Sequence, residues 1–583
     1  MSIIRKLNFL LEKSQKRHLA FIFLLMLIGM VFESLGVALI IPLLLAITQP
    51  NIIDTYPILG EITSILGINT QKQFIVVCLL TIVIVYLIKA IFLTYSGWVQ
   101  GKFTANLKVN ISQRLFSIYM YQPYTFHLQR NSAQLIRNVT GEVFELTSTF
   151  SAAISLLTEI LIITGIGILL FIVEPVGLIS VIFTVVFFGS LFYLLTKGKT
   201  FKLGKERQEH DIKILQHLQQ GLGGFKDAKL LGREVHFINQ FVGRSKKLAK
   251  VGVIYGVLGS LPRHMFELLA VLIMVVFMFV LLFVSNKDVV SIIPTLGVFA
   301  MAAFRIMPSS NKVLSNMQGL RYNLPVINRI YDEMLLPIEE VISNDDKIQI
   351  NNINQIHVNS VSYLYPSATI SAIDYVDMQI NIGSTIGFIG PSGAGKSTLI
   401  DIILGLLKPT KGTILVNGTD IQNNLRAWQN HIGYVPQSIY LTDDTLRKNI
   451  AFGIPEEMID DKAIEDAICQ SQIQEFVQNL PENDNTMVGE NGVRLSGGQR
   501  QRIGIARALY HNPSILVFDE ATSALDSVIE KDVMETIDSL HGDKTIIIIA
   551  HRMSTLKNCD CIYKLNKGAI VGQGDYNQMV NFD

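Results

Sequence analysis

Cysteine is scarce in this chain, and net charge is almost absent. Four of 583 residues are cysteines (Cys78, Cys469, Cys559 and Cys561), too few and too scattered for a disulfide framework. Cys559 and Cys561 lie close together, but no second pair or histidine cluster completes a metal site around them. Reduced thiols facing a cytoplasm are the plain reading. The formal net charge is +1, without the basic excess of a nucleic-acid binder, so no nucleic-acid partner is expected. A signal cleavage site is also missing. The start, "MSIIRKLNFLLEKSQKRHLAFIFLLMLIGMVF", is basic and then oily, yet the oily part runs to about Ile47 without a small-x-small site. It reads as a retained span. Ahead of it, Ile3, Ile4, Leu7, Leu10 and Leu11 recur at helical spacing among lysines, as in a short helix lying in the inner interface.

Hydrophobic residues are abundant, at 49%, which points to a membrane protein, and the chain is too long for one domain. The oily segments fall in six stretches, 19–47, 74–100, 147–172, 176–196, 260–285 and 289–310. Each is about 20 residues or longer, enough to cross a ~30 Å core. Lys and Arg crowd the N-terminus, 101–140 and 197–250, whereas the gaps 48–73, 173–175 and 286–288 contain only Lys72 and Lys287. The positive-inside rule then puts both termini in the cytoplasm. The two long inner stretches keep helical periodicity, so the spans are expected to continue as helices beyond the bilayer. In the first outer gap, Ile58, Leu59, Ile62, Ile65 and Leu66 share one face of a possible helix. The expected division is a transmembrane domain over 1–335, a polar, acidic linker over 336–350, and a soluble α/β domain over 351–583, where short apolar runs alternate with helical patterns.

"TIGFIGPSGAGKSTLIDIIL" reads as a strand, a glycine-rich loop and a helix. It fits G-x-x-x-x-G-K-[ST], with Gly390, Pro391, Ser392, Gly393, Ala394, Gly395, Lys396 and Ser397, followed by Thr398. Such a loop wraps backbone N–H groups around phosphate at a helix N-terminus. Lys396 is placed to reach the β- and γ-phosphates of ATP, and Ser397 to ligate Mg2+. Downstream, "SILVFDEATSALD" is a hydrophobic strand ending in Asp519, suited to hold Mg2+, and Glu520, suited to polarise the attacking water.

Between these motifs lies "RLSGGQRQRIGIARAL". Residues 351–583 resemble the nucleotide-binding domain of an ABC transporter, whose signature is LSGGQ, here with Ser496, Gly497, Gly498 and Gln499. The resemblance implies that Tyr365 stacks on adenine, that Gln437 touches Mg2+ and water, and that Asp526 lies on the loop crossing a dimer seam. It implies further that His551 faces the γ-phosphate, and that "TMVGENG" at 486–492 meets the cytoplasmic helix ends. In this family the signature serves the opposite protomer, and two domains sandwich two ATPs. One motor and six spans therefore resemble a half-transporter that works as a C2 homodimer. The implied fold is an α-helical transmembrane domain of exporter type with long cytoplasmic extensions, followed by an α/β P-loop ATPase domain with a helical subdomain. The loops joining spans 2 and 3 and spans 4 and 5 are similar to those whose short crosswise helices seat on the motors.

Arg305, in "GVFAMAAFRIMPSS", lies about 16 residues in from the outer end of the sixth stretch, roughly 24 Å into a ~30 Å core. Lys89 sits at nearly the same depth on the second stretch, and Arg263 somewhat nearer the cytoplasm on the fifth. Intramembrane cations face a bundle interior or a wet cavity as a rule, and mark a pathway. The competing reading is pairing, with Glu267 four residues after Arg263 and with Glu33 and Glu159 available to the others. On the pathway reading the cargo is anionic and enters from the inner leaflet. The chain then resembles the bacterial flippases of lipid-linked oligosaccharides used in protein glycosylation, which would place it in the bacterial inner membrane. Export of lipid A or of drugs is the alternative, and an ATP-gated channel or sensor the alternative of another class.

Overall fold

The computed structural model describes residues 3–48, 70–173, 175–283, 289–337, 353–366, 368–520 and 527–581, with some side chains in these ranges, those of 276–305 among them, outside that description. The expected outer helix around Ile58, most of the expected linker, Asp526 and the Arg305 side chain therefore fall outside the described residues. The chain divides into two compact units, Met1–Gln122 with Gln129–Ile338, and Pro123–Leu128 with Glu339–Asp583.

The first unit is helical. Its elements are α1 (Ile3–Leu10), α2 (Lys13–Ala38), α3 (Ile40–Thr48), α4 (Gln71–Met120), α5 (Tyr124–Gln129, almost all of which groups with the second unit), α6 (Ser132–Arg137), α7 (Val143–Val173), α8 (Pro175–Gly223), α9 (Phe225–Leu230), α10 (Glu234–Phe283), α11 (Val289–Tyr322) and α12 (Leu324–Met334). Among the described residues, Lys13–Leu43, Gln71–Met120, Ser132–Ile172 and Ile182–Gly223 hold helix long and apolar enough to cross a membrane. α4, α8 and α10 carry helix from the second, fourth and fifth oily stretches into the adjoining inner segments. One expectation changes. The first stretch is not a single helix, because α2 stops at Ala38 and α3 restarts at Ile40. Pro42 explains the break: it lacks an N–H, and its ring would clash with the carbonyl of Ala38. The start of α4 is fixed by Thr70, whose hydroxyl accepts from the Gln73 amide at 3.4 Å, while its own N–H donates to the Gln73 side chain at 3.2 Å.

Within this unit α7 packs on α11, and α8 packs on α10. The α7–α11 seam carries a polar ladder: Asn323 to Ser148 at 3.3 Å, Asn316 to Ser155 at 2.9 Å and Lys312 to Glu159 at 2.7 Å. The rungs step seven and then four residues on both helices, the repeat of one face in antiparallel register. Nearer the loop helices, Arg137 holds Asp211 at 2.5 Å and Arg207 holds Glu145 at 2.6 Å, tying α7 and α6 to α8. There α8 meets α11 backbone to backbone: a Cβ on Gly204 would lie 1.9 Å from the Tyr322 carbonyl oxygen. The Tyr322 ring also stacks on Tyr255 at 3.9 Å. The amphipathic α1 buries Leu10 completely and packs on α12, with Lys6 donating to Asn328 at 2.8 Å and Phe9 edge-on to Tyr331.

The second unit holds two sheets. A four-stranded antiparallel sheet has the order β2 (Ile373–Asn381), β1 (Gln355–Tyr363), β4 (Lys411–Val416), β5 (Thr419–Asp420). A six-stranded sheet has the order β10 (Ala569–Gly574), β9 (Cys561–Asn566), β3 (Thr385–Ile389), β8 (Thr545–Ile549), β7 (Ile515–Asp519), β6 (Ile432–Val435). All its pairings are parallel except β10 with β9. Its middle strands read as unbroken apolar runs, "ILVFD" and "TIIII", as strands buried on both faces do. Phe388, Phe518 and Trp428 are fully buried, each contributing about 1.5–3 kcal/mol. The helices used below are α13 (Lys396–Ile403), α14 (Leu446–Ile450), α15 (Asp461–Gln470), α16 (Gly497–Leu509) and α17 (Ser527–Asp538).

Candidate ATP site

The phosphate loop connects β3 to α13, at the carboxyl end of a parallel strand where α/β sheets bind ligands. Gly395 has φ +101°, and a Cβ there would lie 2.6 Å from the Ala372 carbonyl oxygen, so no other residue fits the turn into α13. Lys396 turns back over the loop, donating to the Gly390 carbonyl at 2.8 Å and the Pro391 carbonyl at 3.2 Å. Burial lowers its ammonium pKa, against the pull of Glu520 and Asp519. Both carboxylates are thus within electrostatic reach of the phosphate-loop lysine. Tyr365 bonds Thr398 at 3.2 Å, which fixes its ring beside the loop.

Strand register assembles the acids. β7 pairs with β8 so that Asp519 lies opposite Ile549, and the Glu520 amide donates to the Ile549 carbonyl at 3.1 Å. His551 follows shortly after Ile549 and so meets Glu520, pairing with its Oε1. On the other flank β6 pairs with β7, Val435 opposite Phe518. Gln437 thereby reaches Glu520 and donates to Oε2 at 2.7 Å. The sequence-derived trio Gln437, Glu520 and His551 is one cluster, with one partner on each carboxylate oxygen. Glu520 itself has φ +49°, a left-handed backbone that costs a non-glycine residue about 1–2 kcal/mol and recurs at functional sites. Asp519 accepts from the Tyr434 hydroxyl at 3.4 Å. Burial, then the Glu520 charge, push its carboxyl pKa up. Asp401, on α13 behind the loop, is pushed up to about 6 by burial and by Asp519. The sequence motifs do not single out Tyr434 or Asp401, because neither belongs to a spaced pattern.

Ser496 is the N-cap of α16: its hydroxyl accepts from the Gln499 amide at 3.2 Å and its N–H donates to the Gln499 side chain at 2.8 Å. The signature is therefore a rigid helix start with N–H groups pointing outward. Among the described residues, no hydrogen bond or ion pair joins Ser496–Gln499 to Gly390–Thr398.

Two of the three sequence-derived cations, Lys89 and Arg263, are paired. Lys89 holds Glu33 at 2.8 Å, with 14% and 5% of the side chains exposed. Arg263 holds Glu267 at 2.9 Å, with 68% and 49% exposed. Glu159 pairs with Lys312, a cation outside the sequence-derived set.

Two family models match the chain, ABC transporter over 373–523 and ABC transporter transmembrane region over 55–309. The "ATP-dependent lipid A-core flippase" of Cupriavidus pinatubonensis is 30% identical over 504 residues, covering 85% of this chain and 84% of that protein. The chain belongs to the ABC transporter family. Proteins of the same name from Cupriavidus metallidurans and Saccharophagus degradans are 28% and 27% identical, covering 83% and 86% of this chain and 82% and 84% of their own lengths. A bacterial Atm1-family ABC exporter with ATP bound superimposes with a TM-score of 0.78 at 21% identity, covering 98% of this chain and 97% of that one. This ABC transporter therefore has the exporter fold, spans a membrane several times, binds ATP, and couples ATP hydrolysis to transport.

Proposed function

We propose that this ABC exporter flips an anionic glycolipid of the lipid A-core type from the inner to the outer leaflet of a bacterial inner membrane, as a homodimer with its motors in the cytoplasm. The observation that carries the reading is the near full-length likeness to relatives named lipid A-core flippases. They favour lipid A over the polyprenyl-diphosphate oligosaccharide expected from the diffuse resemblance of the spans. The intramembrane cations suit either cargo, because both carry phosphate. On this reading Arg263 and Arg305 meet the headgroup. Lys89 is neutralised by Glu33 and serves mainly to hold α4 to α2.

In the motor, Tyr365 stacks on adenine, the Gly390–Gly395 loop with Lys396 and Thr398 cradles the phosphates, and Asp526 lies at the seam with the second protomer. Ser397, Gln437 and Asp519 offer oxygen donors. Asp519 and Glu520 are adjacent acids, and the Glu520 charge adds to the upward push on the Asp519 carboxyl; the set fits Mg2+. Bound there, the ion would offset charge on the β- and γ-phosphates. Glu520 takes a proton from the attacking water as its oxygen bonds the γ-phosphorus, and ADP departs with the broken bridging bond. Gln437 and His551 hold the two carboxylate oxygens, so the base is aimed before the water arrives. His551 is also placed to donate to the γ-phosphate. Ser496, Gly497, Gly498 and Gln499 present a second helix N-terminus to the ATP of the partner.

ATPase stimulation in proteoliposomes tests the cargo, using lipid A-core, polyprenyl-diphosphate glycans and hydrophobic drugs side by side. Stimulation by lipid A-core is expected. Stimulation by the polyprenyl glycans alone would return the reading to lipid-linked oligosaccharide. Replacing Arg263 and Arg305 together with Ala should abolish flipping, and undiminished flipping would assign both to structural pairing.

A further inference from the structure

The segment that follows Gln437 is fastened at three points to the signature helix and the turn that leads into it. Ile439 fills a notch at Gly504 of α16: a Cβ there would lie 1.8 Å from Ile439 Cδ1 and 3.2 Å from Cγ1. Leu441, almost fully buried, closes on Gly492, where a Cβ would lie 2.6 Å from its Cδ1. Arg507 of α16 completes the grip, donating from Nη1 to the Tyr440 carbonyl at 2.8 Å and from Nε to the Asn449 carbonyl at 2.8 Å. Its remaining nitrogen reaches Asn449 Oδ1 at 3.3 Å, and its plane lies over the Phe452 ring at 4.6 Å.

Among the described residues Arg507 has no carboxylate partner, and burial pushes its guanidinium down to about 10. Holding a cation this way is costly. An apolar side chain would fill the space at lower cost, but only a rigid fork joins the carbonyls of two separate segments. Asn449 is fully buried and extends the grip, donating to the Thr442 and Thr445 carbonyls at 3.1 and 3.0 Å.

We infer that Arg507 and the Ile439–Gly504 notch are positioning elements that make Gln437–Leu441 and α16 move as one piece. Through them the state of Glu520 in one ATP site sets the signature serine that serves the other. The inference rests on the paired-motor reading proposed above. Gln437 bonds the catalytic carboxylate at one end of this piece, and Ser496 caps the other. Close packing lets so short a connection pass displacement without damping.

Full-length protein in nanodiscs tests it. Arg507→Lys keeps the charge and removes the fork. The Hill coefficient for ATP hydrolysis should fall from about 2 toward about 1, and kcat should fall about fivefold or more. Affinity for a fluorescent ATP analogue should stay within about twofold, because the phosphate loop is untouched. Gly504→Ala, whose Cβ would expel Ile439, and Ile439→Ala, which empties the notch, should each act in the same direction. This pair decides the matter if Arg507→Lys does not fold. Variants as cooperative and as fast as a cooperative wild type would overturn the inference. A loss of nucleotide affinity equal to the loss of kcat would also overturn it, by marking a merely structural role. A wild-type Hill coefficient of about 1 would overturn the paired-motor reading, and this inference with it.

Discussion

Removing the Glu33 carboxylate should strand a buried charge inside the membrane unit. Lys89 and Glu33 are 2.8 Å apart with 14% and 5% of their side chains exposed, and the ammonium also lies 4.8 Å from the Tyr86 ring. Glu33→Ala leaves a buried cation whose remaining contact among the described residues is the Tyr86 ring. Breaking a buried pair this way costs about 3–5 kcal/mol, most of it the desolvation of the stranded charge. Converting both members, Glu33→Ala with Lys89→Met, removes that charge and fills its volume, so most of the loss should return. The Arg263–Glu267 pair is the control: it is exposed and lies within one helix turn, and Glu267→Ala should leave stability unchanged. Unfolding by SDS titration in mixed micelles gives the three values. Equal destabilisation by the single and double variants, or none by Glu33→Ala, would refute the reasoning that the pair is a buried structural tie.

Three further outcomes are expected. Glu520→Gln should cut kcat by about 10²–10⁴-fold while ATP binding survives, as single-turnover and filter-binding assays would report; normal phosphate release would remove Glu520 from the role of base. Lys396→Ala should lose ATPase, because its ammonium is the phosphate loop's own cation, and a phosphate-release assay at saturating ATP would check it. Asp401 is pushed up to about 6 in the folded protein, against about 4 in an unfolded chain, so its ionisation disfavours the fold above that range. Asp401→Asn should therefore raise the thermal unfolding midpoint at pH 7.5, the gain shrinking as pH falls through about 6 toward about 4. A constant gain at every pH would contradict the assignment.

The motor was largely readable from spacing, because phosphate chemistry demands glycines, a lysine and acids at fixed offsets on a strand–loop–helix frame. The cluster of Gln437, Glu520 and His551 follows from three parallel strands whose ends carry those motifs. Other features left no such trace. Arg507 and Gly504 read as ordinary positions of an amphipathic helix, and only the fold brings Ile439 and the Tyr440 carbonyl against them. In the membrane unit Glu33 was a possible partner for Lys89, and the structure makes it one. Glu159 instead meets Lys312, just past the sixth apolar run where a lysine attracts no notice. The ladder of Asn316 with Ser155 and Asn323 with Ser148 holds the missing signal, a matched repeat on two helices far apart in sequence. Pro42 announced the break after Ala38, but apolar composition alone ran across it.

The meeting of Gly204 with Tyr322 has a mechanical consequence. Two helices separated by side chains can slide, because rotamers act as bearings; here main chain touches main chain, and the Tyr322 ring is stacked on Tyr255 of the fifth long helix. The fourth and sixth long helices therefore share one pivot at that level, and any rearrangement that opens or shuts the transporter must swing them together and place its slip planes elsewhere.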